Sequence, residues 1–101
     1  MYKKVFEAGN VFRSQPLTLR YCGVDEDISR IGFIIRKKVG DAPMRNSIRR
    51  TLRNSFQKVL PILKTGTWIV FDVSNKASLC RRTELREEAD RLLGALPKVI
   101  A

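Results

Sequence analysis

From Met44 to Leu63 the apolar residues recur about one helical turn apart: Met44, Ile48, Leu52, Phe56, Val59, Leu60 and Leu63. A stripe of this period predicts an amphipathic helix with one side that must be buried. Pro61, near its end, terminates or kinks it. The chain has 101 residues, 44% of them hydrophobic, which suits one domain with one modest core. The remaining elements must therefore supply the surface on which this helix lies.

They read as a sheet. Leu17-Thr18-Leu19-Arg20-Tyr21 alternates, with Leu17, Leu19 and Tyr21 facing one way and Thr18 and Arg20 the other. Arg30 to Arg36 is rich in β-branched and aromatic residues and predicts a second strand. Thr67 to Val73 predicts a third, with Ile69 and Phe71 on one face and Trp68 and Val70 on the other. Val11 and Phe12 add a short strand before Pro16. Tyr2, Val5 and Phe6 share one face of a short N-terminal helix that Gly9 and Asn10 end. Gly23 to Ser29 is an acidic turn, Lys37 to Pro43 a loop broken by Gly and Pro, and Ser74 to Ser78 another loop. The last helix runs from about Leu79 or Thr83 to Leu96 on a stripe of Leu85, Ala89, Leu92, Leu93 and Leu96. Helices packed on one sheet make an α+β sandwich in a single domain spanning residues 1–101.

Charge selects among functions for such a domain. Lysine and arginine number 20 against 10 carboxylates, a net charge of +10. Between Arg30 and Lys58 nine positive residues stand with Asp41 as the lone carboxylate. With Arg45 of the central helix at 0°, Arg49 lies at about 40°, Arg53 at about 80°, Asn46 at about 100° and Arg50 at about 140°. The apolar stripe of Met44, Ile48 and Leu52 occupies about 260–340°. The arginines thus form a ribbon beside the buried seam. A merely solvated face would carry acidic partners, and none lies between Met44 and Lys58. Repulsion of Arg49 by Arg45 and Arg53 at i,i+4 costs a few tenths of a kcal/mol per pair. That uncompensated cost points to an external anion, and the guanidinium fork suits phosphate oxygens. Arg36, Lys37 and Lys38, leaving a strand just before, add a second phosphate contact, and Gly40 allows close backbone approach. Exposed aromatics give bases a surface to stack on, and Tyr2 and Phe6 on the short helix are the candidates.

Other chemistries are poorly served. The chain has no histidine, and its two cysteines, Cys22 and Cys80, match no metal spacing and read as reduced thiols of a cytoplasmic protein. No apolar run approaches the roughly 20 residues of a membrane span.

The segment Arg30–Phe56 resembles the signature region of the bacterial ribonuclease P protein. The matching pieces are Ile31-Gly32-Phe33, Lys37-Lys38-Val39-Gly40, Ala42, Met44-Arg45-Asn46, Ile48-Arg49-Arg50, Leu52-Arg53 and Phe56. Tyr2-Lys3-Lys4-Val5-Phe6 and Gly9 are similar to the opening aromatic helix of that family. The resemblance implies a four-stranded α/β sandwich of the ribosomal protein S5 domain 2-like type, with a left-handed crossover through the basic helix. It implies a protein that joins a catalytic RNA to remove the 5′ leader of precursor tRNA; away from RNA a monomer is expected. The RNA does the chemistry with bound Mg²⁺, and the protein holds no cofactor and no catalytic residue. Arg36, Lys37, Lys38, Arg45, Asn46, Arg49, Arg50 and Arg53 would face RNA, and Tyr2, Phe6 and Phe33 would line a groove for the leader. The family motif Arg-Asn-Arg has Ser47 as its third residue here, at about 200° on the helix and away from the ribbon. A general structured-RNA-binding or ribosome-associated protein is the alternative reading. A stand-alone nuclease finds neither a histidine nor paired carboxylates near the basic face.

Overall fold

The computed structural model describes residues 2–63 and 66–100, with side chains to residue 96. Helix α1 (Tyr2–Ala8) stops at Gly9, whose φ of 72° suits glycine and whose N–H reaches the Phe6 carbonyl at 3.3 Å. Strand β1 (Asn10–Ser14) turns through Gln15 and Pro16, joined by a cis peptide bond, into β2 (Leu17–Gly23). Strand β3 (Arg30–Ile35) leads to helix α2 (Ala42–Val59), which returns the chain to β4 (Thr67–Val73). Helix α3 (Arg82–Ile100) follows.

The sheet order is β1-β2-β4-β3, antiparallel except for the parallel pair β3 and β4. Pairing sets Phe12 against Leu19, Leu19 against Phe71, and Phe71 against Phe33. Four apolar side chains therefore cross one face, and α2 and α3 cover it. Ile48, Leu52, Phe56 and Val59 from α2 meet Leu85, Ala89, Leu92, Leu93 and Leu96 from α3 over Leu17, Leu19, Ile69 and Phe71. On the opposite face α1 inserts Val5 against Cys22 and Val70. Burying Val5 is worth roughly 1.5–3 kcal/mol, which explains how a seven-residue helix persists. Cys22 and Cys80 are free thiols, and burial pushes the Cys22 thiol up against the opposing charge of Lys4.

Several expectations change, and α2 ends at Val59 rather than Leu63, followed by a 3₁₀ turn over Leu60–Ile62 that contains Pro61. The first strand extends to five residues, Asn10–Ser14, because the hairpin pairs every one of them with β2. The basic loop is not irregular: Lys37–Val39 is a 3₁₀ turn plugged into the core by Val39, and Asn75–Leu79 is another, with the Ser74 hydroxyl accepting from the Lys76 N–H at 3.2 Å. Helix α2 begins at Ala42 rather than Met44. Asp41 is its N-cap, accepting from the Met44 N–H at 2.9 Å, and Pro43 sits in the first turn, where its missing N–H costs nothing. The lone carboxylate of the basic stretch thus starts the helix instead of neutralising it.

Candidate nucleic-acid interface

The buried stripe of α2 fixes which way its arginines point. With Ile48, Leu52, Phe56 and Val59 in the core, Asn46, Arg50, Arg53 and Asn54 are exposed and Arg49 is half-buried. Asn46, Arg49, Arg50, Arg53 and Asn54 line one shallow open groove. Arg49 donates to the Asn46 Oδ1 at 2.8 Å, which orients its guanidinium along the helix surface. Among the described residues the ion pairs are Arg30–Glu26, Arg36–Asp72, Lys58–Asp90 and Arg91–Glu88. None uses Arg45, Arg49, Arg50 or Arg53, so the ribbon keeps its charge for an outside anion.

Arg45 is turned back toward the start of the helix, where it donates to the Gly40 carbonyl at 2.7 Å. A Cβ at Gly40 would press on the flexible Met44 side chain. Lys37 and Lys38 are exposed on their 3₁₀ turn, held by the buried Val39 between them and Gly40. Arg36 lies elsewhere. It pairs with Asp72 at 2.9 Å, on the sheet face that carries Trp68 and Val70, opposite α2. Seven of the eight basic-site candidates therefore lie on α2 and its leading turn, and Arg36 does not join them.

The aromatic candidates meet the ribbon at the free edge of β3. Phe33 pairs with β4 on one side only, and its outward N–H and C=O are taken by the Tyr2 hydroxyl at 3.0 and 3.2 Å. The Arg53 guanidinium lies over the Phe33 ring, 5.4 Å from its centroid. Tyr2, Phe33 and Arg53 so join α1, β3 and α2 into one surface. Phe6 is 39% exposed and stands under the Arg20 guanidinium at 4.5 Å.

Arg20 was not among the candidates read from sequence. Alternation placed it on the face away from the main core, but only the fold brings α1 over that face. Its Nε is buried without a hydrogen-bond partner among the described residues. Asn54 was also missed; it falls at about 180° on the helix, beside Arg50, and carries no charge to mark it. No group of three His, Cys, Asp or Glu side chains clusters to hold a metal among the described residues, and the guanidinium and ammonium groups of this face are not Mg²⁺ ligands. No helix among them is long and apolar enough to cross a membrane.

The Ribonuclease P family model matches residues 1–97. The chain is 34% identical over 93 residues to the ribonuclease P protein component of Dehalococcoides mccartyi, covering 92% of this chain and 76% of that protein. It is 31% identical over 93 residues to the ribonuclease P protein component of Oceanobacillus iheyensis, with 91% and 77% covered. In fold it is similar to the RNase P protein of Thermotoga maritima (TM-score 0.78, 24% identity, 97% and 92% covered). It is also similar in fold to that of Staphylococcus aureus (TM-score 0.80, 21% identity, 99% and 91% covered). The α+β sandwich and the resemblance carried by Arg30–Phe56 agree with these matches, and the chain belongs to the ribonuclease P protein family.

Proposed function

We propose that this chain is the protein subunit of a ribonuclease P ribonucleoprotein, binding the catalytic RNA through α2 and its leading turn and the 5′ leader of precursor tRNA through the edge of β3 and α1. The observation that carries this reading is the approach of an arginine ribbon free of carboxylates to aromatics at the sheet edge: Arg49, Arg50 and Arg53 run along α2, Arg53 lies over the half-buried Phe33 ring, and the backbone of Phe33 holds the hydroxyl of the exposed Tyr2. Cations that neutralise phosphates release counterions, and neighbouring rings offer stacking to unpaired bases. That pairing of chemistries fits a partner with both folded and single-stranded parts.

The protein supplies charge and position rather than reacting groups. Its α2 face carries no general base, and the ribbon orients and neutralises RNA. Catalysis and its Mg²⁺ are assigned to the RNA subunit. Such a subunit acts in the cytoplasm, as a monomer before it meets RNA.

Reconstitution tests the reading. Added to a bacterial ribonuclease P RNA at low Mg²⁺, the folded chain accelerates release of the leader from precursor tRNA. Absence of stimulation rejects it. Equal affinity for any structured RNA, without preference for ribonuclease P RNA, favours a general RNA-binding protein instead.

A further inference from the structure

Ser47 borders the basic face of α2 on the flank toward α3. At about 200° it lies past Arg50, where the helix turns from solvent toward its neighbour. Arg82, the first residue of α3, donates from Nε to the Ser47 Oγ at 2.8 Å. Thirty-five residues separate the two, so nothing in the local sequence joins them.

Arg82 is half-buried and fixed by this bond, while its two terminal nitrogens make no ion pair among the described residues. The nearest acidic residue in sequence, Glu84, turns its carboxylate back to the Arg81 backbone N–H at 3.4 Å. The neighbourhood is otherwise basic. The turn Lys37–Val39 packs against the turn Asn75–Leu79, so exposed Lys37, Lys38 and Lys76 stand near the start of α3, next to exposed Arg81. Cations thus continue from α2 to the start of α3: Arg53 and Arg50 on α2, then Arg82 on α3, with Ser47 as the bracket.

We propose that Arg82 is an RNA-backbone contact delivered from α3 across Ser47, so that the phosphate-binding strip spans two helices rather than α2 alone. The Ser47 bond pre-orients the guanidinium, which lowers the entropy lost on meeting a phosphate. This rests on the RNA-binding reading above, and the experiment separates the two.

Binding of a bacterial ribonuclease P RNA is measured over a potassium chloride series for the wild type, Arg82→Ala, Arg82→Lys, Ser47→Ala, the exchange Ser47→Arg with Arg82→Ser, and Arg49→Ala with Arg53→Ala. Circular dichroism confirms that each is folded. Arg82→Ala weakens binding about fivefold to tenfold and lowers the slope of log affinity against log salt by about 0.7–0.9. Arg82→Lys and Ser47→Ala keep the slope because the cation remains. The exchange restores affinity and slope, since an arginine again occupies the bracket. If Arg82→Ala leaves the slope unchanged while Arg49→Ala with Arg53→Ala flattens it, the inference is overturned and the RNA-binding reading stands. If Ser47→Ala copies Arg82→Ala, the contact is only a tie between helices, and the inference is likewise overturned. If no variant alters the slope, both fail.

Discussion

The Tyr2 hydroxyl accepts from the Phe33 N–H at 3.0 Å and donates to the Phe33 carbonyl at 3.2 Å, closing the middle of the sheet edge that β4 leaves open. One side chain from α1 thus satisfies two backbone groups of β3 at the residue whose ring lies under Arg53. Tyr2→Phe removes the two hydrogen bonds at a site water can reach. The expected loss of stability is about 0.5–1 kcal/mol, read from urea unfolding. The phenyl ring remains, so affinity for precursor tRNA relative to leaderless tRNA holds. Tyr2→Ala loses the ring as well and lowers that preference by about 1–3 kcal/mol if one base stacks there. Equal effects of the two substitutions would show that the hydroxyl, not the ring, contacts the leader.

Beneath the α2–α3 seam the Ser55 side chain is 1% exposed, and its hydroxyl has no hydrogen-bond partner among the described residues. It borders an apolar cleft with Val59 and Leu93, whose rim is bridged by Lys58 and Asp90 at 3.7 Å. A buried hydroxyl without a partner carries an uncompensated desolvation cost, and serine is also a poorer helix former than alanine. Ser55→Ala is expected to stabilise the protein by about 1 kcal/mol in urea unfolding. RNA affinity should not change, because Ser55 lies on the side of α2 away from the ribbon. A destabilised Ser55→Ala would mean that the hydroxyl is satisfied within the seam.

The pH dependence of stability has a local source. Glu88 on α3 accepts from the Ser14 hydroxyl of β1 and from the Arg91 guanidinium, and these bonds hold its carboxyl below the ordinary value. The Ser14 bond is the larger cause, with Arg91 next and burial opposing both. A carboxyl depressed in the folded state stabilises the fold above its unfolded pKa, near 4.3, and loses that contribution as pH falls through its lower folded value. Stability should therefore decline from about pH 5 downward. Glu88→Gln, which cannot ionise, should flatten that acid limb while changing little in the shape of the curve near neutrality. Thermal melts of both proteins from pH 3 to pH 7 check it, and parallel acid limbs would rule out Glu88 as the source.

How far such features were readable differs from residue to residue. The stripe Ile48, Leu52, Phe56 and Val59 fixed the orientation of α2, and with it the placement of Arg49, Arg50 and Arg53, because burial of one side dictates the other. Alternation gave the facing of Leu17, Leu19, Ile69 and Phe71 for the same reason. The start of α2 lies two residues before the one its apolar stripe predicts, because a first-turn proline following an Asp cap is compatible with a helix. Contacts that need the assembled fold were not legible: Arg20 over Phe6, Arg82 on Ser47 and Arg36 on Asp72 each join elements far apart in sequence. Charge counting sees that these arginines exist, but not which surface receives them.

Arg36 and Arg53 make that distinction measurable. Both are exposed arginines of the same basic stretch, and sequence treats them alike. Arg53 has no carboxylate partner among the described residues and lies over Phe33 on the α2 side of the sheet, whereas Arg36 is held by Asp72 on the α1 side. An exposed ion pair is worth roughly 0–1 kcal/mol, so it anchors Arg36 only weakly, but the sheet itself separates that guanidinium from the ribbon. Arg53→Ala should lower the salt slope for ribonuclease P RNA by about 0.7–0.9, the share of one phosphate. Arg36→Ala should change it by clearly less, and Asp72→Asn, which releases Arg36 without moving it to the α2 face, should not raise it by a full phosphate. Filter binding from 0.1 to 0.5 M potassium chloride reads all three slopes. Equal losses for Arg36→Ala and Arg53→Ala would mean that the RNA wraps the edge of β3 and touches both faces of the sheet.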